Sequence, residues 1–242
     1  MQAARIAELL QPFLRKANDQ RPAANDALYQ SISTYIDILQ HWNTRINLTA
    51  IRNEEEIVTR HFGESLFAAS RLFPRISSAY SASSAVKAFD VDLDVPGAQS
   101  PRPEARLADL GSGAGFPGIP IKLWAPNISV TLIESSHKKS TFLKEVTRAL
   151  TLTDINIQNT RAETLPAGAF DVVTLRAVER FAHVLPIAAR LLAPSGRLAL
   201  LISSSQLAQA RSTLPDLTWQ LPIQVPHSKS RLLLIGENHK DK

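Results

Sequence analysis

The chain has 242 residues, 44% hydrophobic and 20% charged, enough for one sizeable domain with a smaller appendage. It holds no cysteine, which excludes disulfides and cysteine-ligated zinc and makes a reducing, cytoplasmic setting the expectation. The formal net charge is +5, with eight basic and eight acidic side chains in residues 1–73 but eleven and seven in residues 106–203, a balance that suits either a polyanionic partner or a solvated basic surface.

His41, His61, His137, His183, His227 and His239 show no close metal-ligand spacing, so no metal is expected. The N-terminus reads as the start of an amphipathic helix and not as a signal peptide. No apolar run approaches the roughly 20 residues that span a bilayer, so no membrane partner is expected.

Residues 3–16 pattern as a helix with Ile6, Leu9, Leu10 and Phe13 on one face. Arg21-Pro22 marks a break. Residues 25–42 give a second helix, whose stripe of Leu28, Ile32, Tyr35, Ile36, Leu39 and Trp42 suits core packing. Asn53 before Glu54-Glu55-Glu56 reads as an N-cap, and Glu56 stands where a capping box places it. A third helix continues through Ile57, Val58, Phe62, Leu66 and Phe67 to about Phe73. Residues 1–73 therefore read as an N-terminal helical extension. Residues 74–105 carry serine pairs, Asp90, Asp92 and Asp94, then Pro96, Pro101 and Pro103; they show no period and read as a linker or insertion.

Residues 106–242 read as one domain of alternating strands and helices. Strands are expected at 106–110, 129–134, 155–159, 170–175, 197–202, near 218–225 and near 231–235. Helices are expected at about 118–125, 137–150, 180–192 and 205–212. Such alternation gives an α/β fold: a mainly parallel sheet, helices on both faces, and a ligand site beyond the carboxyl ends of the strands.

The first strand ends in Asp109-Leu110-Gly111-Ser112-Gly113-Ala114-Gly115-Phe116-Pro117-Gly118. A strand feeding a glycine-rich turn and then a helix offers free amides and a positive helix end to a nucleotide-like ligand. Gly113-x-Gly115-x-x-Gly118 matches the dinucleotide fingerprint. The glycines begin one repeat earlier, however, just after Asp109, whose carboxylate would repel a pyrophosphate and welcome a cation. S-adenosylmethionine (AdoMet), with an ammonium, a sulfonium and no phosphate, suits that order better. Glu134, at the end of the second strand, can accept both hydroxyls of a ribose in either ligand. Arg161-Ala162-Glu163 follows the third strand, where the adenine end lies. Arg176 ends the fourth, beside the reactive centre. Glu163 and Arg176 have salt-bridge roles at a sheet edge as the alternative. Lys138, Lys139, Lys144 and Arg148 recur along one helix, as a solvated face or, at Lys138 and Lys139, as phosphate contacts.

A resemblance runs through these segments. The stretch from Asp109 to Pro120, then Leu132-Ile133-Glu134-Ser135-Ser136-His137-Lys138-Lys139, Arg161-Ala162-Glu163 and Arg176-Ala177-Val178 are similar to the RsmG (GidB) family. Trp42-Asn43-Thr44-Arg45-Ile46-Asn47-Leu48-Thr49 and Arg60-His61-Phe62-Gly63-Glu64-Ser65-Leu66 resemble its N-terminal motif. These are bacterial small-subunit ribosomal RNA methyltransferases that methylate a guanine at N7. The resemblance implies a Rossmann-like class I methyltransferase sheet and AdoMet as cofactor. It implies AdoMet contacts at Gly111, Phe116, Ala162, Glu163 and Arg176, with Glu134 on the ribose. The implied partner is small-subunit ribosomal RNA or the ribosomal particle, and a monomer is expected.

The sequence departs from the family pattern in three places. The linker before Arg106 is longer, Glu64 stands where an Asp is common, and Ser203-Ser204-Ser205 replaces a usual Lys-Gly after the fifth strand. Guanine N7 carries a lone pair and no proton, so no acid, base or covalent nucleophile is expected; orientation does the work. N7 lies in the major groove, narrow in A-form RNA, so the target is an unpaired guanine. The rival readings are a methyltransferase on another substrate and a module that binds AdoMet and RNA without catalysis.

Overall fold

The structure, a computed structural model, describes residues 1–14, 26–74, 103–178 and 180–238. The break at Arg21-Pro22 and most of the linker lie outside the described residues.

The strands are β1 (Arg106–Leu110), β2 (Ser129–Ile133), β3 (Ile155–Gln158), β4 (Phe170–Arg176), β5 (Leu192–Ser203), β6 (Leu217–Trp219), β7 (Ile223–Gln224) and β8 (Arg231–Asn238). They form one sheet in the order β3-β2-β1-β4-β5-β8-β6, with β7 also on β8. From β3 to β5 the pairing is parallel; β8 runs antiparallel to β5 and carries β6 and β7 antiparallel in turn. The expected mainly parallel sheet is what forms. Its inner strands read as near-continuous apolar runs because helices cover both faces.

On one face Leu107, Val172, Ala199, Leu201 and Leu233 pack under α5 (Gly118–Trp124) and α6 (His137–Ala149). On the other, Ala108, Leu175, Leu198 and Leu200 pack under α7 (Phe181–Leu191) and α8 (Leu207–Thr213). The N-terminal helices join the first of these cores: Ile6 of α1 (Ala3–Leu14) and Ile32 and Tyr35 of α2 (Asp26–Asn43) belong to the same apolar cluster as Leu107. Two polar ties close the joint: Trp124 Nε1 donates to the Phe73 carbonyl at 2.9 Å and Arg197 to that of Leu72 at 3.0 Å.

Several local features differ from expectation. The third helix is α3 (Glu54–Ile57), then a π-helical turn (Val58–Gly63), then α4 (Glu64–Leu72). The Asn53 cap forms, its Oδ1 accepting from the Glu56 N–H at 3.0 Å, but the Glu56 carboxylate turns to Arg60 and does not complete the box. Trp42 is half-buried, meeting Phe142 edge to face at 5.9 Å. β5 starts before Pro194-Ser195-Gly196, through a register shift against β4. The strand expected over 218–225 is two short ones, β6 and β7; Pro222 between them has no N–H for a ladder.

Two glycines of the β1–α5 loop are fixed by space. At Gly115, φ is +82°, and a Cβ would run into Tyr35 Oη and Ile119. At Gly118 a Cβ would sit 2.5 Å from Leu132 and 2.8 Å from the Asp109 carboxylate.

Asp109 does not face a ligand, as the glycine pattern suggested it would. It is fully buried; Oδ1 accepts from Thr174 Oγ1 at 2.9 Å and Oδ2 from the Gly118 N–H at 3.1 Å. The carboxylate therefore braces β4 and the start of α5 against β1. Burial raises its pKa from 3.8 to about 6, against the pull of those hydrogen bonds. A raised folded-state pKa gives stability that is full below the unfolded value and lost as pH climbs through the folded one. Asp109→Asn keeps an acceptor for Gly118 and a partner for Thr174 without the charge. The wild-type stability relative to Asp109→Asn, from urea unfolding, is expected to fall by on the order of 3 kcal/mol between about pH 4 and about pH 8. A difference flat with pH would contradict this assignment.

Candidate active site

A cavity of about 580 Å³ opens at the carboxyl ends of β1, β2 and β4, a usual size for a small-molecule site. Gly111, Phe116, Glu134, Ala162, Glu163 and Arg176, the residues expected from sequence, all line it. Asp109 does not.

Glu134, just past β2, is buried and clamps the glycine loop. Its Oε2 accepts from the Gly113 N–H at 2.9 Å and its Oε1 from the Ser136 N–H at 2.7 Å. Gly111 is tied to the same strand through its N–H, 2.9 Å from the Ile133 carbonyl. A pyrophosphate would need the Gly113 amide that Glu134 already holds, and would meet its charge. The argument against a pyrophosphate thus stands on Glu134 and not on Asp109. Ala162 and Glu163 sit on a 3₁₀ turn (Ala162–Thr164) whose carbonyls accept from Arg190 at 3.2 and 3.1 Å. The Glu163 side chain is exposed, 3.9 Å from His183 Nε2.

The N-terminal helices supply the opposite wall. Tyr35 Oη donates to the Ala114 carbonyl inside the glycine loop. Phe116 lies between two parallel rings, Tyr35 at 5.4 Å and 5° and His61 at 4.8 Å and 21°. Phe62 meets it edge-on at 5.0 Å.

A polar chain runs behind that wall. The Asn43 side chain accepts from the Leu48 and Thr49 amides and donates to the Thr49 carbonyl, fixing the turn after α2. Thr49 Oγ1 lies 2.7 Å from His61 Nε2, and His61 Nδ1 lies 3.0 Å from Arg176 Nη2. A guanidinium only donates, so Nδ1 is the acceptor and the imidazole proton sits on Nε2, directed at Thr49. Burial, then the charges of Arg176, Arg60 and Arg231, lower the His61 pKa from 6.5 to about 3. His61 is neutral across the physiological range.

Arg176 makes the salt bridge that the sequence left as one alternative, a buried ion pair with Glu64, Nη2 to Oε2 at 3.0 Å and Nε at 3.2 Å, and it also lines the cavity. Its Nη2 also donates to the Arg60 carbonyl at 2.8 Å. Among the described residues Nη1 has no hydrogen-bond partner. Burial lowers its pKa from 12.5, opposed by Glu64.

His61 and Tyr35 escaped the sequence reading as site residues. Tyr35 stood in a core stripe, and it is indeed buried; only its hydroxyl serves the loop. His61 and Glu64 are three apart, the spacing that puts side chains on one helix face, and that signal was available. Lys139 lines the cavity and Lys138 is exposed beside it on α6. After β5, Ser203 caps the short turn Ser204–Gln206 and so leaves no cation at the strand end.

A family model described as "rRNA small subunit methyltransferase G" (GidB) matches residues 28–78 and 95–231. The chain is 34% identical over 222 residues to the ribosomal RNA small subunit methyltransferase G of Roseiflexus castenholzii, covering 85% of this chain and 81% of that one. Against the protein of the same name from Stenotrophomonas maltophilia it is 34% identical over 218 residues, covering 88% and 85%. Among solved structures, a ribosomal protein L11 methylase from Lactobacillus delbrueckii subsp. bulgaricus superposes with a TM-score of 0.53 at 18% identity, over 74% of this chain and 79% of that one. That last likeness bears on the fold alone.

Removing one partner of a buried pair leaves a charge without compensation. Glu64→Ala is expected to lower unfolding stability by about 3–5 kcal/mol in urea titration. The double variant Glu64→Leu with Arg176→Met should recover much of that loss. A cost for Glu64→Ala below about 1 kcal/mol, the range of exposed pairs, would show that the pair is solvated.

Proposed function

The chain belongs to the rRNA small subunit methyltransferase G (GidB) family, and we propose that it moves a methyl group from AdoMet to N7 of a guanine in 16S ribosomal RNA. The supporting observation is the cavity itself: a glycine loop braced from behind, a buried carboxylate at its ribose end, and an aromatic wall from the N-terminal helices.

The cavity's donor set fits AdoMet. Each Glu134 oxygen holds one amide and keeps lone pairs for the ribose hydroxyls. Ala162 and Glu163 border the adenine end. Gly111 and Phe116 flank the middle, and the free Nη1 of Arg176 suits the carboxylate of the methionyl part. AdoMet supplies an electrophilic methyl group. The acceptor brings its own lone pair, so the chain's residues orient and exclude water, and none needs to move a proton. Lys138 and Lys139 stand at the mouth for the RNA backbone. The protein acts as a cytoplasmic monomer without a metal, built from a helical extension (1–73), a linker (74–105) and a methyltransferase domain (106–242).

Three measurements test this. AdoMet should raise the melting temperature and NAD should not. Incubation with labelled AdoMet and unmodified small-subunit RNA should place the label on guanine N7. Glu134→Ala should weaken AdoMet binding by about 1.5–3 kcal/mol in calorimetry, the range for hydrogen bonds to a charged group. Stabilisation by NAD alone, or label appearing on protein and not on RNA, would overturn the proposal.

A further inference from the structure

Among the described residues, three arginines gather near the carboxyl end of β4 and β5, on the face that the N-terminal helices cover. Arg176 ends β4 and is in register with Leu201 of β5. Ser203 lies two residues on, so it shares that face, and its register partner across the sheet is Arg231, the first residue of β8. Arg60 joins them from the π-helical turn, its carbonyl bonded to Arg176.

The three guanidiniums are not equally engaged. Arg176 has Glu64, and Arg60 has Glu56 in an exposed pair at 3.0 Å. Arg231 is half-buried and has no carboxylate partner among the described residues. Its charge reaches the site: with Arg60 and Arg176 it helps hold His61 neutral, and with Arg60 it works against the charge on Arg176. An unpaired, half-buried guanidinium in a positive field gains from any anion that can reach it. A phosphate is the best match in shape, since the planar fork binds it through two donors. Among the described residues its neighbours on β5 are short and uncharged: Ser203 is its register partner, and the exposed Ser204 donates its N–H to the Ser230 carbonyl at 2.7 Å.

We propose that Arg231, with Arg60 beside it, binds a backbone phosphate of the RNA strand next to the target guanine. This rests on the reading of the protein as an RNA methyltransferase. The contact carries no sequence information; it fixes the register of the strand so that the base falls at the Arg176 end of the cavity. It also supplies a cation at the strand end where Ser203 has none, from the neighbouring strand.

The test is binding of unmodified small-subunit RNA across a range of salt, with methyl transfer and AdoMet calorimetry in parallel. Arg231→Gln keeps the stem, and the strand is held through the backbone of residue 231, bonded to Ser228 Oγ at 3.0 Å and Gln224 Nε2 at 2.9 Å, so the fold is retained and a melting curve checks it. Arg231→Gln should weaken RNA binding on the order of tenfold at low salt and raise KM for RNA. It should also flatten the salt slope by about 0.7, the loss of one phosphate contact on a single strand. AdoMet affinity should stay unchanged, Arg231→Lys should recover part of the binding, and Arg60→Gln should act in the same direction. A wild type that methylates the RNA while Arg231→Gln matches it in affinity and slope would overturn the phosphate site and leave the proposed function standing. A wild type that binds AdoMet but transfers no methyl to RNA would remove both. Inorganic phosphate that competes with AdoMet, and not with RNA, would place the anion in the cofactor cavity and so also overturn the proposal.

Discussion

The structure turns on one buried charge. Arg176 ends a central strand with its guanidinium almost out of water, and such a group is tolerable only with a partner at close range. The partner, Glu64, comes from the N-terminal helices, and so do the Arg60 carbonyl and His61, the other partners of its Nη2. The helices are therefore more than packing for the sheet. They supply the counter-charge that lets a cation stand at the carboxyl edge, where α/β sheets bind ligands. The turn just before Glu64 carries His61 over Phe116, so the aromatic wall and the ion pair are placed by adjoining residues of one helical segment. That turn is π-helical, and its extra residue is a form often met at functional sites.

The glycine loop shows the complementary strategy. Its polar groups are largely met from inside the protein: Asp109 holds the Gly118 amide, Glu134 the Gly113 amide, and Tyr35 the Ala114 carbonyl. A loop held in this way keeps its shape before any ligand arrives, which lowers the ordering cost of binding. Asp109 and Glu134 are both buried carboxylates that hold this loop, yet they do different work. One points into the sheet and stiffens the junction; the other borders the cavity and gives it a negative end.

Much of this was legible in the sequence because it follows from local backbone needs. Glycines at positions 111, 113, 115 and 118, and an acid just past β2, point to a nucleoside site at this edge of an α/β sheet without knowledge of the partners, and the cavity opens there. What was not legible depends on distant residues. Asp109 has apolar neighbours on both sides in a strand buried on both faces, so alternation could not say whether it points into the sheet or toward the ligand. The salt-bridge and ligand roles of Arg176 looked like alternatives because Glu64 lies in a segment that read as separate. The π-helical turn left no trace in the periodicity, since Phe62 and Leu66 keep the four-residue spacing of an ordinary helix. The division of the strand near 218–225 is a different case, since Pro222, which cannot donate to a ladder, stands in the sequence where it falls.

The claim on which the rest depends is that the N-terminal helices form a wall of the cofactor site. Amide hydrogen exchange with and without AdoMet, read residue by residue, tests it most directly. The account predicts added protection in two separate places: the loop from Gly111 to Gly118, and the π-helical turn from Val58 to Gly63 with the start of α4. Protection confined to the loop, with exchange in the π-helical turn unchanged by the ligand, would contradict it.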